Sequence, residues 1–151
     1  MHSRIYQLTE EPIPKEEWLT EEDFFDTSFI GAVADYVRTQ PETERHEDIE
    51  WLMSQTKGVF AFDKDKVQLL PGAKHTYFSE KYNKFKEKTE NLTLDEFCSS
   101  DTIWELNRLM QEEYTFYVYD EHACWKPLDQ FIRDAEEGAV FYIGGIVDYH
   151  F

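Results

Sequence analysis

Residues 140–151 read VFYIGGIVDYHF. Apolar and aromatic residues run up to Gly144-Gly145 and resume after it. That is the pattern of two short strands joined by a tight turn, because adjacent glycines reach the backbone angles such turns need. The stretch predicts an antiparallel hairpin, and with it an α+β fold in which short helices pack on hairpins.

The segment before it, Lys126 to Glu137, carries Leu128, Phe131, Ile132 and Ala135 at i, i+3, i+4 and i+7, the apolar stripe of an amphipathic helix that Gly138 ends. The same order stands earlier in the chain. His46 to Gln55 reads as a helix with Ile49, Leu52 and Met53 inward, Gly58 ends it, and VFAFDKDKVQLL (59–70) reads as a hairpin with its turn at Asp63 to Lys66. Pro71-Gly72 closes that hairpin.

A helix-start cassette also occurs twice. In LTEEDF (19–24), Thr20 is the N-cap, Asp23 holds the capping-box position, and Leu19 and Phe24 are the hydrophobic staple. In LTLDEF (92–97), Thr93, Glu96, Leu92 and Phe97 take those places. The first cassette predicts a helical stretch through Phe29, Ile30, Val33 and Val37 up to Pro41, with a break near Asp26 to Ser28. The second predicts one through Ile103, Leu106, Leu109 and Met110. Two organisations fit. One is a pair of degenerate α–α–ββ repeats, 19–70 and 92–151, joined by a Lys/aromatic helix at 74–90. The other is a chance recurrence of common caps in a single compact domain spanning 1–151. RIYQL (4–8) and YTFYVYDE (114–121) add two more strands.

The chain has 151 residues, 41% of them hydrophobic and 17% aromatic, a composition that supports a packed core and argues against disorder. Its net charge is −17. Residues 10–50 carry 14 acids and 3 bases, residues 57–91 carry 5 acids and 8 bases, and residues 92–151 carry 13 acids and 3 bases. Two acidic lobes thus flank a mildly basic middle. Such a surface repels nucleic acid and anionic membranes and attracts basic proteins. The opening residues MHSRIYQLTEEP contain no apolar signal core, and no apolar run is long enough to span a bilayer. Cys98 and Cys124 make neither a disulfide framework nor a four-cysteine zinc site. The expected setting is cytoplasmic, with free thiols.

The acids form groups: Glu16, Glu17, Glu21, Glu22, Asp23 and Asp26; then Glu42, Glu44, Glu47, Asp48 and Glu50; then Glu112, Glu113, Asp120 and Glu121, with Glu136 and Glu137 as a pair. Carboxylates fixed on short helices imitate the closely spaced charges of a duplex backbone. The expectation is an acidic binding or inhibitor protein that mimics nucleic acid and blocks a basic DNA- or RNA-binding partner. Antirestriction and anti-CRISPR proteins work in this manner, and the likeness to them is one of composition alone. The expected partner-binding residues are Glu21, Glu22, Asp26, Glu44, Glu47, Asp48 and Glu50, with no cofactor, no metal and no turnover.

Other residues suggest other chemistries. Asp120, His122 and Cys124 form the densest set of potential ligands, but their spacing fits no standard zinc pattern. Asp148 and His150 lie two apart on a predicted strand and therefore share a face, as an acid–base pair would. Either set is what a small hydrolase or metal-binding protein would use. Asp63, Asp65 and Lys66 start like a calcium loop, but the lysines and the lack of a central glycine exclude it. The lysines of 74–88 suit nucleic acid less well than pairing with the chain's own acids. A module with no privileged charged face is the remaining alternative.

Overall fold

The computed structural model describes residues 1–112 and 114–151. These form strands β1 (His2–Thr9), β2 (Tyr36–Thr39), β3 (Phe60–Asp63), β4 (Lys66–Leu69), β5 (Tyr117–Tyr119), β6 (Trp125–Pro127) and β7 (Val140–His150). The helices are α1 (Phe29–Ala32), α2 (Arg45–Gln55), α3 (Ala73–Glu90), α4 (Leu94–Phe97), α5 (Ser100–Met110) and α6 (Leu128–Asp134), with 3-10 turns at Lys15–Glu17, Glu21–Phe24 and Glu42–Glu44. The strands make one mixed sheet in the order β3-β4-β7-β1-β5-β6, with β2 also paired to β7. Among the described strands, only the β1–β5 pair is parallel. The fold is α+β.

The predicted terminal hairpin is corrected: residues 140–150 are one unbroken strand, the backbone of the sheet. β1 pairs along one edge of β7. On the other edge β4 meets Val140 to Tyr142 and β2 meets Val147 to His150. The two glycines are a bulge. Leu8 faces Ile143 and Tyr6 faces Ile146, so Gly144 and Gly145 together oppose the single residue Gln7. The reason for glycine is close approach. A Cβ on Gly144 would fall on Oε1 of Gln7, and one on Gly145 would fall on the backbone of Leu19.

The bulge also shifts the side-chain parity of β7. Phe141 and Ile143 enter the same core as Ile146, which a regular strand with period two would place on opposite faces. That core joins Tyr6 and Leu8 of β1 to Ile49 and Leu52 of α2 and to Phe131 and Ile132 of α6. The opposite face holds Ile5, Val147 and Tyr149 under Leu19, Phe24 and Phe29. Phe24 and Phe29 are fully buried, each contributing roughly 1.5–3 kcal/mol of burial.

The first cassette does not lead into a long helix. Its capping box forms, with Thr20 N donating to Asp23 at 2.8 Å. The following turn α1 is kinked at Ile30 and at Gly31, whose φ is 97°. Val37 then joins the β2 strand. Pairing to the exposed edge of β7 supplies backbone partners that an isolated helix of mixed propensity cannot match. The second cassette, capped by Thr93 and Glu96, starts only the short α4; the predicted helix is broken at Ser99, which is extended, before α5 begins at Ser100. The two halves differ in element order after the cassette: the first runs into β2, α2 and the β3–β4 hairpin, the second into α5, the β5–β6 hairpin, α6 and the single strand β7. The repeat is not supported by these arrangements.

The other elements follow the pattern. In α2, Ile49 and Leu52 are buried, whereas Met53 is exposed. α6 stops at Asp134, shorter than predicted, because Ala135 is already extended. Gly138 (φ 92°) then donates its N–H to Leu69 O at 2.6 Å, feeding the chain into β7. α3 and α5 form a helical arm. No described helix is long and apolar enough to cross a membrane.

Candidate functional site

The acidic segment 10–26 is pinned to the sheet by its apolar residues. Gln7 Oε1 accepts from the N–H groups of Leu19 and Gly145, each at 2.8 Å. With Leu19 and Phe24 held inward, Glu16, Glu17, Glu22, Asp23 and Asp26 face solvent. Glu21 is half-buried and ties its turn to β2. Its carboxylate accepts from Thr39 N at 2.6 Å, and its own N–H donates to Thr39 Oγ1 at 2.9 Å.

The second acidic segment begins at Pro41 and passes through the 3-10 turn into α2. Burial of Ile49 and Leu52 turns Glu44, Glu47 and Glu50 outward at i, i+3 spacing. The two segments meet where Lys15 pairs with Glu42. Beside that contact lies a hollow of about 260 Å³ lined by Trp18, Thr39, Gln40 and Arg45, among others.

Two basic residues near this edge, Arg45 and Arg4, turn inward, whereas Lys15 and Arg38 stay exposed. Arg45 lies over Trp18 at 4.3 Å and donates to Ile143 O at 2.6 Å and to Asp65 at 3.1 Å. It also donates to Gly144 O, so it covers the bulge rather than the acidic surface. Arg4 donates to Asp48 Oδ1 at 2.7 Å and to Asp148 Oδ1, with Trp51 5.1 Å beneath it. Two of the chain's positive charges are thereby withdrawn from the side where the acids collect.

Asp48 does not belong to the solvent-facing array. It is 4% exposed and held by Arg4. The reason is register: three residues after Arg45 on α2, its side chain falls on the sheet side next to Ile49. Its Oδ2 has no hydrogen-bond partner among the described groups. Burial raises its pKa, and the opposing pull of the Arg4 guanidinium does not cancel this.

Asp148 and His150 do share a face, but each is engaged elsewhere. Asp148 is 2% exposed and accepts from Arg4, and its Oδ2 lies 2.8 Å from His2 Nδ1. His150 contacts Asp35 at 3.1 Å and the Met1 amine at 3.2 Å, and stacks on Tyr36 with centroids 5.2 Å apart. The arrangement ties β1, β2 and β7 together.

Asp120, His122 and Cys124 occupy the β5–β6 turn. Asp120 Oδ1 accepts from the N–H groups of His122 at 3.0 Å and Cys124 at 3.1 Å, and its other oxygen pairs with Lys126 at 3.0 Å. The carboxylate closes a turn, and the His122 and Cys124 side chains are exposed. Cys124 is free and exposed, as is Cys98. Desolvation pushes the Asp120 carboxyl up, but Lys126 and the two N–H donors outweigh it and hold the carboxyl below the usual range. Among the described residues, no three His, Cys, Asp or Glu groups cluster to hold a metal ion.

The remaining acids serve largely as internal partners. Glu112 pairs with Lys81 at 3.0 Å, and Lys88 with Glu105. Lys84 pairs with Glu80 at 2.6 Å. Lys81, Lys84 and Lys88 of α3 therefore meet the chain's own acids. Glu137 accepts from Gly72 N at 2.9 Å and Lys74 N at 3.0 Å, which caps α3 and holds its carboxyl below the usual range. Glu121 accepts from Glu10 N at 3.0 Å. Glu113 lies outside the described residues.

Sequence reasoning missed the buried Arg4 network and the exposed face of α5. Arg4 is a single base in a short strand motif and carries no local sign of two distant carboxylates. No family model, no curated protein and no solved structure matches this chain.

Proposed function

We propose that the protein is an acidic binding protein that occupies the nucleic-acid site of a basic partner and inhibits it without turnover. A nuclease of host defence is the type of partner such a surface suits, and a cytoplasmic setting is the corresponding location. The observation that supports this reading most is the joining of the two N-terminal acidic segments at Lys15 and Glu42, while Arg4 and Arg45 point inward. Glu16, Glu17, Glu22 and Asp26, over one face of the sheet, and Glu44, Glu47 and Glu50, on the helix over the other, then offer exposed charge to either side of that contact, where Lys15 and Arg38 are the exposed bases. Asp48 leaves the set because it is buried, and Glu21 contributes only in part. Acids of the C-terminal lobe are mostly spent on lysines and helix ends, so they add less.

The test is capture of partners on immobilised protein at low salt, followed by elution with a salt gradient and competition with duplex DNA. A discrete nucleic-acid-binding protein that salt releases and duplex displaces supports the reading. Recovery of only a general smear of basic proteins, insensitive to duplex, refutes it. The hydrolase alternative gains nothing from the geometry. Asp120 closes a turn, and Asp148 and His150 make separate contacts, to Arg4 and to Asp35.

A further inference from the structure

Three strands lie side by side at one corner of the sheet. His2 of β1 is in register with His150 of β7, and His150 is in register with Tyr36 of β2. Directly opposed residues on adjacent strands share a face, with Cβ atoms about 4.5–5.5 Å apart. The fold therefore sets two imidazoles together although they are far apart in sequence. Their ring centroids are 5.0 Å apart and the planes are inclined at 68°. Tyr36 stacks on His150 and meets His2 edge-on, with centroids 6.2 Å apart. Both imidazoles reach solvent, the His2 side chain at 54% exposure and that of His150 at 33%.

Each ring has a carboxylate behind it. Nδ1 of His2 lies 2.8 Å from Asp148 Oδ2, and Nδ1 of His150 lies 3.1 Å from Asp35 Oδ2. An ionised carboxylate only accepts, so it fixes the ring proton on Nδ1 and leaves the lone pair of the neutral imidazole on Nε2. Among the described residues, the hydrogen bond of the His2 ring is the one at Nδ1. Nε2 of His150 has the Met1 amine at 3.2 Å. A carboxylate on one ring nitrogen and a lone pair on the other is the arrangement of metal-ligating histidines, whose outer carboxylate sets the tautomer and raises the basicity of the ligand. A contact that only pinned the strands would not require a separate carboxylate for each ring.

The charges around the pair balance locally. Arg4 is spent on Asp48 and Asp148. Arg38 is exposed and in register with Asp148. Asp35 is exposed beside His150. His2 also borders a hollow with Glu80, Lys81 and Glu112, where Lys81 pairs with Glu112 and Glu80 with Lys84. The net charge of −17 draws cations to the surface as a whole.

We infer that His2 and His150 form a surface site for a divalent ion of the zinc type, held through the two Nε2 atoms, with Asp148 and Asp35 as positioning residues. Imidazole suits zinc and its neighbours in the transition series, whereas calcium and magnesium take oxygen ligands. Among the described residues no three His, Cys, Asp or Glu side chains converge on an ion, so the chain supplies two ligands and water completes the coordination. The site does not depend on the proposed function.

The probe is zinc chloride, titrated into the isotopically labelled full chain while the imidazole resonances of all five histidines are followed. Saturable shifts of His2 and His150 together, with His46, His75 and His122 unmoved, are expected. Asp35→Asn should weaken zinc binding about tenfold, the lower end for loss of an outer carboxylate. His2→Gln and His150→Gln should each weaken it further. Zinc should raise the melting temperature of the parent protein and not that of His150→Gln, a response that strand pinning alone does not give. A chain extended by a few residues before Met1 should bind zinc as the parent does. Loss of binding in the extended chain would overturn the inference, by assigning the ion to the terminal amine. Shifts that never saturate, shifts spread over all the histidines, or undiminished affinity in His2→Gln and His150→Gln would overturn it too. The parent titration uses no variant, so it decides the matter even where a substitution prevents folding.

Discussion

Gly145 lies so close under the backbone of Leu19 that a methyl group at this position would overlap the Leu19 nitrogen, carbonyl carbon and oxygen. The contact joins the bulge of the central strand to the loop carrying the first acidic segment. The obstructing atoms are backbone, which cannot swing aside as the end of a side chain can. Gly145→Ala should therefore destabilise the protein by about 3 kcal/mol, at the upper end of overpacking costs. The check is a lower denaturant midpoint at unchanged m-value. A midpoint equal to that of the parent protein would falsify the role given to the bulge.

Among the described residues, Arg4 is the ion-pair partner of Asp48, and it also serves Asp148. Both carboxylates are buried. Arg4→Met keeps much of the side-chain volume and removes the charge, leaving Asp48 without its counterion and Asp148 with His2. A loss of about 3–5 kcal/mol is expected, the penalty for an uncompensated buried charge. Asp48→Asn combined with Arg4→Met should recover part of it. Non-additivity in a double-mutant cycle measures the pair.

Asp48 also makes a pH prediction. Its folded pKa is raised, chiefly by burial and in spite of Arg4. Between the unfolded carboxyl value, about 3.9, and the raised folded value, the native state binds a proton that the unfolded state has released. Stability from this group is present below the unfolded pKa and declines as pH rises through that window. Asp48→Asn should flatten this part of the pH–stability curve. Superimposable curves for the two proteins would show that Asp48 is not perturbed.

Ala123 sits in the β5–β6 turn with φ 55°, a left-handed conformation in a residue that carries a Cβ. Ala123→Gly should stabilise the protein by up to about 1 kcal/mol, the gain from relieved strain being reduced by the greater freedom of glycine in the unfolded chain. Asp120→Ala should do the opposite, because the N–H groups of His122 and Cys124 lose their acceptor and Lys126 keeps only its longer contact, to Asp134 at 3.8 Å. Thermal unfolding of both variants tests the turn. A rise for Asp120→Ala would contradict it.

For the acidic edge, Glu44→Lys, Glu47→Lys and Glu50→Lys in one protein should lower the association rate with a basic partner tenfold or more at low salt, within the roughly 10–10³ range of electrostatic steering. The dissociation rate should change less. Salt should narrow the difference, because exposed charges are screened over a Debye length of about 8 Å at physiological ionic strength. Equal association rates at every salt concentration would reduce the edge to solvation.

Local chemistry was legible where the deciding partner is close in sequence. The capping boxes at Thr20 and Thr93, the β3–β4 hairpin, α2, α3 and α5 all follow from residues within a few positions of one another. The errors share the opposite cause. Gly144-Gly145 looks like a turn unless Gln7 and Leu19, more than a hundred positions away, are known to press against it. Val37 continues a helical pattern until β7 offers it an edge. Asp48 looks like one more surface acid until Arg4 reaches it. The acids facing solvent were readable by type, and their meeting at Lys15 and Glu42 was not, because a single ion pair between loops leaves no periodic trace.

The strand that β1, β2 and β4 all bond to is the last one in the chain order. During synthesis, the three earlier strands leave the ribosome before their common template exists. Their apolar faces, and the paired edge that only β7 can satisfy, must wait through the translation of residues 70–139. A nascent chain of this design depends on holding partners or on its own mutual repulsion to stay unassociated during that interval. The same negative charge that suits a basic partner in the folded protein would then act first as a guard against premature aggregation.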